Sequence, residues 1–343
     1  MDNDGMRFGL SGRGGGLEAD GPTPIAELAR LADRLGFDCL WFNEEHFLQA
    51  ERQRARLNLH ASPIILASAL AMVTRRIRLG FSVLLLPLHH PLRLAEEIAT
   101  LDALSGGRVN FGISRGNNSR YLHGFGFTGD PTQVFQQNLD AILGYWRGQP
   151  LRFDGVEHVV APAPVQQPHP PVFIGGYDDQ TIAWVAEHGY TLMQHGIEST
   201  AFVERCLRTY RRHGGDVAQV PVGRFCYVGR TDAVARAEAW PVVVRQAERL
   251  RQIGLYQRPN PVITEVELEP ERFFHQTAIV GGPETVARRL AELRDDLGVR
   301  YVNLLSAFFG YLPEPLLRSS LQLFAEQVMP RLSAGAPTVA GAT

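Results

Sequence analysis

The segment after residue 40 contains two acidic residues and a histidine in direct succession. Residues 41–47 read Trp-Phe-Asn-Glu-Glu-His-Phe, so Glu45 and His46 stand side by side between aromatic residues. Histidine titrates near neutral pH and can accept or donate a proton, and a carboxylate beside it can share that work. The same residues could equally form a hydrogen-bonded structural cluster. Their types alone favour neither interpretation.

A pair of adjacent histidines follows within the next fifty residues. His89 and His90 precede Pro91, a residue that is common in the first turn of a helix. The two histidines could line the same pocket as His46, or they could only precede and cap that helix. A metal pair is disfavoured, because no further ligands occur at suitable spacing.

Two glycine-containing turns have the composition of an anion site. Residues 114–120 begin Ser-Arg-Gly, and residues 175–181 read Gly-Gly-Tyr-Asp-Asp-Gln-Thr. Arg115 can bind a phosphate through two hydrogen bonds, and a glycine-rich turn into a helix leaves backbone N–H groups for an anion. Asp178 or Asp179 complicates this, because either can cap the helix itself. Together the turns predict a monophosphate site, whereas each alone is typical of an ordinary turn.

The elements that must position these motifs alternate between strand and helix. Apolar strands are predicted at residues 7–10, 39–42, 78–86, 108–113, 172–175, 191–194, 222–228 and 301–306, nearly all followed by amphipathic helices. This pattern predicts an α/β fold, a single (β/α)₈ TIM barrel whose functional residues meet at the carboxyl ends of the strands. An open doubly wound sheet is the weaker alternative, because residues 11–17 lack the GxGxxG spacing and are better explained as a flexible loop.

Three segments depart from the alternation. Residues 149–171 are rich in proline and form an insertion after the fourth βα unit, with a hairpin predicted at Asp154-Gly155. Residues 254–276 have little periodicity. Residues 334–343 predict a disordered tail, which leaves residues 1–333 as the barrel domain.

Composition excludes several functional classes. The chain has 343 residues and a formal net charge of −2, which predicts neither a nucleic-acid partner nor an anionic membrane partner. It contains no lysine, so it has neither a Schiff-base lysine nor a P-loop lysine. Its three scattered cysteines predict reduced thiols and, with no apparent signal peptide, a cytoplasmic location. No apolar run is long enough to span a bilayer.

A family resemblance appears in an ordered run of three motifs. Residues 86–97 read Leu-Pro-Leu-His-His-Pro-Leu-Arg-Leu-Ala-Glu-Glu, residues 101–108 read Leu-Asp-Ala-Leu-Ser-Gly-Gly-Arg, and residues 111–116 read Phe-Gly-Ile-Ser-Arg-Gly. With these motifs the chain resembles the bacterial luciferase-like family of flavin-dependent monooxygenases. The resemblance extends from about residue 6 to residue 330.

The resemblance implies a site for FMN. Arg115 would bind the phosphate together with the backbone of residues 176–178 and Thr181, and Ser114 would lie beside the flavin. Ser82 and Val83 fall where the family often has a cis peptide bond under the flavin ring. The cofactor-binding residues implied in this way are Ser82, Val83, Ser114, Arg115, Gly116, Gly176, Tyr177, Asp178 and Thr181.

The resemblance also implies an activity. A separate flavin reductase would supply reduced FMN, dioxygen would add to give a flavin hydroperoxide, and a small organic substrate would be oxygenated, with residues 254–276 as a mobile lid. Relatives imply a homodimer. Glu45 and His46 would handle protons with support from His90. The aromatic residues Phe47, Phe81, Tyr121 and Phe125 would line the substrate pocket or, as an equal alternative, belong to the core.

Two departures from the family pattern leave other functions open. Many relatives read Glu-His-His-Phe where this chain has Glu44-Glu45-His46-Phe47, so Glu45 replaces the histidine that is catalytic in luciferase. A second phosphate-binding arginine near residues 132–133 is absent, and Arg120 could compensate for it. The alternatives are a deazaflavin-dependent hydride-transfer oxidoreductase of the same superfamily and a non-catalytic flavin-binding subunit.

Overall fold

The fold was analysed in a computed structural model, which describes residues 5–11, 22–47, 61–116, 119–257 and 261–333. Its strands are β1 Arg7–Ser11, β2 Cys39–Phe42, β3 Arg78–Phe81, β4 Leu84–Leu85, β5 Val109–Ser114, β6 Leu151–Phe153, β7 Val156–His158, β8 Val172–Gly175, β9 Thr191–Met193, β10 Pro221–Arg224, β11 Cys226–Val228, β12 Ile279–Gly281 and β13 Tyr301–Leu304. Its α-helices are α1 Pro22–Leu35, α2 Pro63–Ala71, α3 Pro91–Ser105, α4 Ser119–Gly124, α5 Pro131–Trp146, α6 Asp179–Glu187, α7 Thr200–Arg212, α8 Asp232–Ile253, α9 Pro270–Arg272, α10 Pro283–Leu297, α11 Glu314–Leu323 and α12 Met329–Leu332.

The main sheet is a barrel of parallel strands. Eight strands neighbour one another in the order β10–β13–β1–β2–β3–β5–β8–β9, and an isolated parallel bridge between Gln194 and Val222 brings β9 next to β10. The predicted (β/α)₈ barrel is therefore confirmed. The helices between the strands cover the outer face, which explains why the strand sequences are apolar nearly throughout. The carboxyl ends of the strands all meet at one mouth.

Large side chains fill the barrel interior. Trp41 packs edge-on against Phe173 with ring centroids 5.0 Å apart, and its indole N–H donates a hydrogen bond of 3.1 Å to the hydroxyl of Tyr301. Cys39 and Met193 complete this cluster. A packed interior leaves the mouth as the place where a ligand can bind.

The third strand is interrupted at the predicted cofactor position. The sequence predicts one strand over residues 78–86, but β3 ends at Phe81 and β4 begins at Leu84. The Ser82–Val83 peptide bond between them is cis, as the resemblance implies. A Cβ atom on Gly112 would lie 1.6 Å from the carbonyl oxygen of Phe81, so only glycine allows β5 to pass this break.

The structure contains the hairpin predicted in residues 149–171, and it contains helical turns in residues 254–276 that the sequence pattern does not indicate. Strands β6 and β7 form the predicted antiparallel hairpin around Asp154-Gly155. Residues 254–276, which the resemblance implies to be a mobile lid, have little periodicity, yet their described part contains short helical turns, including Val266–Leu268 and Phe273–Thr277. Several of its apolar side chains are buried, namely Val262, Ile263, Leu268, Phe273 and Phe274. Burial of this apolar surface explains why a segment without helical periodicity is nevertheless ordered against the barrel.

Some expectations fall outside the described structure. The glycine-rich run at residues 12–17 and the predicted tail at residues 334–343 both lie beyond the described residues. Among the helices that the structure describes, none combines the length and the apolarity needed to cross a membrane.

Candidate functional site

A cavity of 2060 Å³ lies at the carboxyl ends of the barrel strands. All of the predicted cofactor-binding residues line it, namely Ser82, Val83, Ser114, Arg115, Gly116, Gly176, Tyr177, Asp178 and Thr181. Glu45 lines it as well, whereas His46 and His90 are not among its lining residues. The fold therefore brings the two predicted phosphate turns together with the acidic residue that follows β2.

Arg115 lies at one end of this cavity and is held by two side chains. Its Nη1 donates a hydrogen bond of 2.9 Å to the hydroxyl of Thr132, and its Nη2 lies 3.8 Å from a carboxylate oxygen of Asp178. Thr132 is fixed in turn, because its backbone N–H donates to Asp130, the cap of α5. Thr132 stands where the family resemblance predicts a second arginine, so a hydroxyl takes that place here.

Helix α6 begins at the same end of the cavity. Asp178 caps this helix and accepts hydrogen bonds of 2.8 Å from both the backbone N–H and the hydroxyl of Thr181. Burial acts to raise the pKa of Asp178, but the hydrogen bonds from Thr181 and the charge of Arg115 lower it overall, so the group is ionised. The sequence-based concern that an aspartate caps this helix is thus confirmed.

Gly176 leaves the space in front of α6 open. A Cβ atom at this position would lie 2.6 Å from the methyl group of Thr181, closer than real contacts of this kind. Only glycine therefore lets the backbone pass Thr181 at this point. The bare backbone, the Arg115 guanidinium and the hydroxyl groups of Thr132 and Thr181 all face this end of the cavity, and such donors could hold an anion.

A further arginine, which the sequence analysis missed, reaches this end of the cavity from α7. Arg205 lies 2.6 Å from a carboxylate oxygen of Asp179 and donates a hydrogen bond of 3.1 Å to the carbonyl oxygen of Tyr177. The predicted substitute, Arg120, also lines the cavity. Arg205 lies in a helix of ordinary amphipathic pattern, and no local motif distinguishes it.

The acidic residue at the centre of the histidine cluster is Glu44. Its Oε1 lies 2.9 Å from His46 Nε2, both of its oxygens lie 3.0 Å from His89 Nε2, and its Oε2 accepts a hydrogen bond of 2.6 Å from the backbone N–H of Leu85. Asn138 on α5 donates to the carbonyl oxygens of Leu86 and His89 and so fixes the turn that carries this histidine. Glu44 thus joins the ends of the second and third strands.

Charge is stabilised within this cluster. Burial acts to raise the pKa of Glu44, but hydrogen bonds from His46, His89 and Leu85 lower it to about 2. Burial acts to lower the pKa of His89, but the hydrogen bond and the charge of Glu44 raise it overall. Glu44 is consequently an ionised anchor rather than a proton carrier at neutral pH.

The predicted histidines occupy different surroundings. His46 is buried, and its ring packs edge-on against Phe125 and Tyr121 at centroid distances of 4.6 and 5.6 Å. His90 is exposed at the beginning of α3, where its backbone caps the helix, so the histidine that joins the cluster is His89.

The predicted aromatic lining is only partly observed. Tyr121 lines the cavity. Phe81 is fully buried in the hydrophobic core, so this residue belongs to the core and not to the pocket lining. Phe47 and Phe125 are about half exposed beside His46 and are not among the lining residues.

Asn43 presents an unsatisfied acceptor at the cavity. Its side chain lines the cavity and is almost fully buried, yet its Oδ1 has no hydrogen-bond partner in the structure. A buried acceptor without a partner is costly, so this oxygen is suited to accept a hydrogen bond from a bound molecule. No motif in the sequence distinguishes Asn43, although its position directly after β2 could have indicated it.

The arrangement offers donors that a phosphate-bearing flavin would need. Arg115, Thr132, Thr181 and the Gly176 backbone would hold the phosphate, and Val83 and Ser114 would lie along the ring. Within the described parts of the chain, no group of three or more histidine, cysteine or acidic side chains is arranged to hold a metal ion.

Comparison with known sequences places the chain among the luciferase-like monooxygenases. The sequence profile of the luciferase-like monooxygenases matches residues 6–301. The uncharacterized protein y4wF of Sinorhizobium fredii is 30% identical over 306 residues, which is 83% of this chain and 84% of that protein. The oxygenase component of the flavin-dependent trigonelline monooxygenase of Acinetobacter baylyi is 29% identical over 174 residues, 48% of this chain and 46% of that protein.

Solved structures show the same fold. The monooxygenase RslO1 of Streptomyces bottropensis superposes with a TM-score of 0.76 at 22% identity, covering 95% of this chain and 99% of that one. The oxygenating constituent of 3,6-diketocamphane monooxygenase of Pseudomonas putida, solved with FMN, gives 0.72 at 17% identity over 95% and 98% of the two chains. The coenzyme F420-dependent tetrahydromethanopterin reductase of Methanopyrus kandleri gives 0.66 at 19% identity over 96% and 100%.

Proposed function

Because the chain belongs to the luciferase-like monooxygenase family, we propose that it is the oxygenase component of an FMN-dependent monooxygenase. Reduced FMN, supplied by a separate flavin reductase, provides the two electrons with which dioxygen is split into one oxygen atom for the substrate and one for water. The trigonelline monooxygenase relative, itself named as an oxygenase component, supports this division of labour.

One observation carries the choice of FMN. Arg115 and Thr132 meet the beginning of α6 at Gly176, where added side-chain atoms would collide with Thr181. This part of the cavity offers guanidinium, hydroxyl and backbone N–H donors, and the same cavity extends to the cis peptide bond at Ser82–Val83. A monophosphate joined to a planar ring matches these donors and that extent.

The chain's own residues have separate tasks in this proposal. Glu45 reaches the cavity directly, so it holds and moves the proton on the substrate side. His46 uses its Nε2 to contact Glu44, and Glu44 fixes the loop after β2 against the turn of His89. His46 and His89 are therefore positioning residues, and the exposed His90 takes no part.

The test is anaerobic titration with reduced FMN, followed by rapid mixing with oxygenated buffer while the absorbance is recorded. We expect tight binding by the wild-type chain, and after mixing a transient absorbance that differs from both reduced and oxidised FMN. The matched pair of variants is Arg115→Gln in the site and Arg288→Gln, which removes the same charge from an exposed position on α10.

Three results would contradict the proposal. Failure of the wild-type chain to bind reduced FMN would exclude it, and binding of reduced deazaflavin instead would indicate hydride transfer. Tight FMN binding without a transient, and without turnover of any screened substrate in the presence of a reductase, would indicate a flavin-binding subunit without catalytic activity.

A further inference from the structure

The cavity has a second wall that carries arginines, and these residues lie far along the chain from Arg115. Arg245 and Arg249 on α8 both line it. Residues four apart lie one above the other on the same face of a helix, so both side chains project toward the same region. Two arginines presented in this way form a surface for a negatively charged group.

Both guanidinium groups lie over aromatic rings that follow the last strand. The Arg245 guanidinium lies 4.1 Å from the centre of the Tyr311 ring, and the Arg249 guanidinium lies 5.0 Å from that of Phe309. Stacking of this kind orients a planar cation and leaves its edge N–H groups for hydrogen bonds. Because the edge of a guanidinium matches the two oxygens of a carboxylate, the stacked arginines favour a planar anion.

The backbone that presents these rings has an unusual conformation. Phe308 and Phe309 have φ angles of 49° and 56°, in the left-handed region that side chains other than glycine rarely adopt. The stacked rings of Phe308 and Phe225, with centroids 5.2 Å apart, hold this turn in place. Conformations of this kind persist where packing imposes them and are frequent in ligand-binding turns.

The second wall lies at a different part of the mouth from the phosphate site. Arg115 and Gly176 follow β5 and β8, the fourth and fifth strands of the barrel, whereas α8 and Phe309 follow the seventh and eighth. In a ring of eight strands, these pairs are separated by the sixth strand on one side and by the first three on the other, so they occupy different parts of the rim. A cofactor phosphate bound at Arg115 therefore leaves the α8 wall to another ligand.

The charges near the first site are largely matched, whereas Arg245 on α8 has no ion pair within the described residues. Arg115 and Arg205 face Asp178 and Asp179, and Glu187, on the same wall, pairs with His213. At the second wall the acidic lining residue is Glu248, which stands between the two arginines in the sequence. Within the described residues, Arg245 has no carboxylate partner, and its contact is the Tyr311 ring.

We propose that the α8 wall binds the carboxylate of an organic substrate, so that the enzyme oxygenates organic acids. This inference rests on the proposed function, in which the phosphate site belongs to FMN. Arg245 and Arg249 hold the acid group, and the apolar body of the substrate extends from Phe309 and Tyr311 toward Val83 and Glu45 at the reacting end.

The test compares ligands that differ only in charge. Benzoate and benzamide, and likewise hexanoate and hexanamide, are titrated into the FMN-loaded enzyme and their affinities measured by saturation-transfer NMR. We expect the carboxylate of at least one pair to bind about tenfold more tightly than its amide. This preference is lost in Arg245→Gln and in Arg245→Gln/Arg249→Gln and is retained in the exposed control Arg288→Gln.

The affinity for FMN is the second measurement, because it distinguishes a substrate-binding wall from a part of the cofactor site. The affinity for FMN, oxidised and reduced, is unchanged in Arg245→Gln and is weakened in Arg115→Gln. Equal affinity for acid and amide in both pairs would overturn the substrate class, and weakened FMN binding in Arg245→Gln would assign this wall to the cofactor. If the wild-type chain binds no FMN, the proposed function fails by itself, and the same titrations of the FMN-free protein still decide whether the wall selects carboxylates.

Discussion

His89 Nε2 lies 3.0 Å from both carboxylate oxygens of Glu44, so a single contact joins the ends of the second and third strands. Only 4% of the Glu44 side chain is exposed, and the same carboxylate also holds His46 and the N–H of Leu85. A buried anion with three donors becomes costly when one donor is lost. The rim of the cavity that carries Glu45 therefore depends on the protonation of this pair.

Stability should consequently depend on pH through Glu44 and His89. The contribution of Glu44 is present above its unfolded pKa of 4.5 and is lost as the pH falls toward about 2. The contribution of His89 is present below its unfolded pKa of 6.5 and is lost as the pH rises through its raised folded pKa. The two contributions are therefore fully present together between pH 4.5 and 6.5.

In that window we expect Glu44→Gln to lower the free energy of unfolding by about 2–3 kcal/mol, because His89 loses its charged partner. Urea unfolding at several pH values measures the difference between wild type and variant, which should shrink above neutral pH. Glu292→Gln, at an exposed ion pair, is the control and should change stability little at any pH. A pH-independent difference for Glu44→Gln would show that the pair is not titrating.

Arg115→Gln should weaken FMN binding by about tenfold, the lower end for a charge-assisted hydrogen bond, because half of the Arg115 side chain is exposed. Thr132→Val should have a smaller effect in the same direction, since it removes the hydroxyl that orients Arg115. Fluorescence titration of FMN measures both. Riboflavin, which lacks the phosphate, is the matched ligand, and its affinity should not change in either variant.

Gly176→Ala should also weaken FMN binding, because the new methyl group meets the methyl group of Thr181 at 2.6 Å. Thr181→Ser removes that methyl group and keeps the hydroxyl that contacts Asp178. The double variant should therefore recover part of the affinity, with a coupling energy of about 1 kcal/mol in a double-mutant cycle. Additive losses would show that the space in front of α6 is not what Gly176 provides.

Asp178→Asn should strengthen FMN binding, by about fivefold. Asp178 is ionised and would face the phosphate. Two like charges about 4 Å apart repel each other by about 1 kcal/mol in water. Asparagine caps a helix about as well as aspartate, so α6 is preserved. Asp216→Asn, at a remote helical cap, controls for the change in charge. Weaker binding in Asp178→Asn would mean that this carboxylate contacts the ligand favourably.

The fold could be predicted because the sequence repeats one unit, an apolar strand followed by an amphipathic helix, around the whole barrel. Apolar runs of strand length alternate with amphipathic helices, and the C-terminal positions of the strands must then share one mouth. The break between Phe81 and Leu84 interrupts neither the apolar pattern nor the strand length, so it is invisible in composition and appeared only through the family resemblance.

The site was harder to predict at the level of single residues. The sequence shows two neighbouring carboxylates and two neighbouring histidines, and adjacent residues in extended chain point to opposite sides. Both Glu44 and Glu45 line the cavity, and which of them contacts the histidines depends on the phase of β2. Which of His89 and His90 contacts Glu44 depends on the turn after β4. Arg205 comes from a distant helix, and only the three-dimensional fold brings it to the site.

The last prediction concerns Glu45, which stands where many relatives have a histidine. Glu45 lines the cavity while the Nε2 of His46 is engaged by Glu44, so the two should respond differently to substitution. Glu45→Gln, which keeps shape and removes the proton carrier, should lower kcat by about a hundredfold and leave FMN affinity and KM nearly unchanged. His46→Gln should instead lower stability and alter FMN binding, because it disturbs the Glu44 anchor. Steady-state kinetics across pH with a reductase measure both, and in Glu45→His the pH profile of kcat should move to a value typical of histidine. An unchanged kcat in Glu45→Gln would exclude Glu45 as the proton carrier.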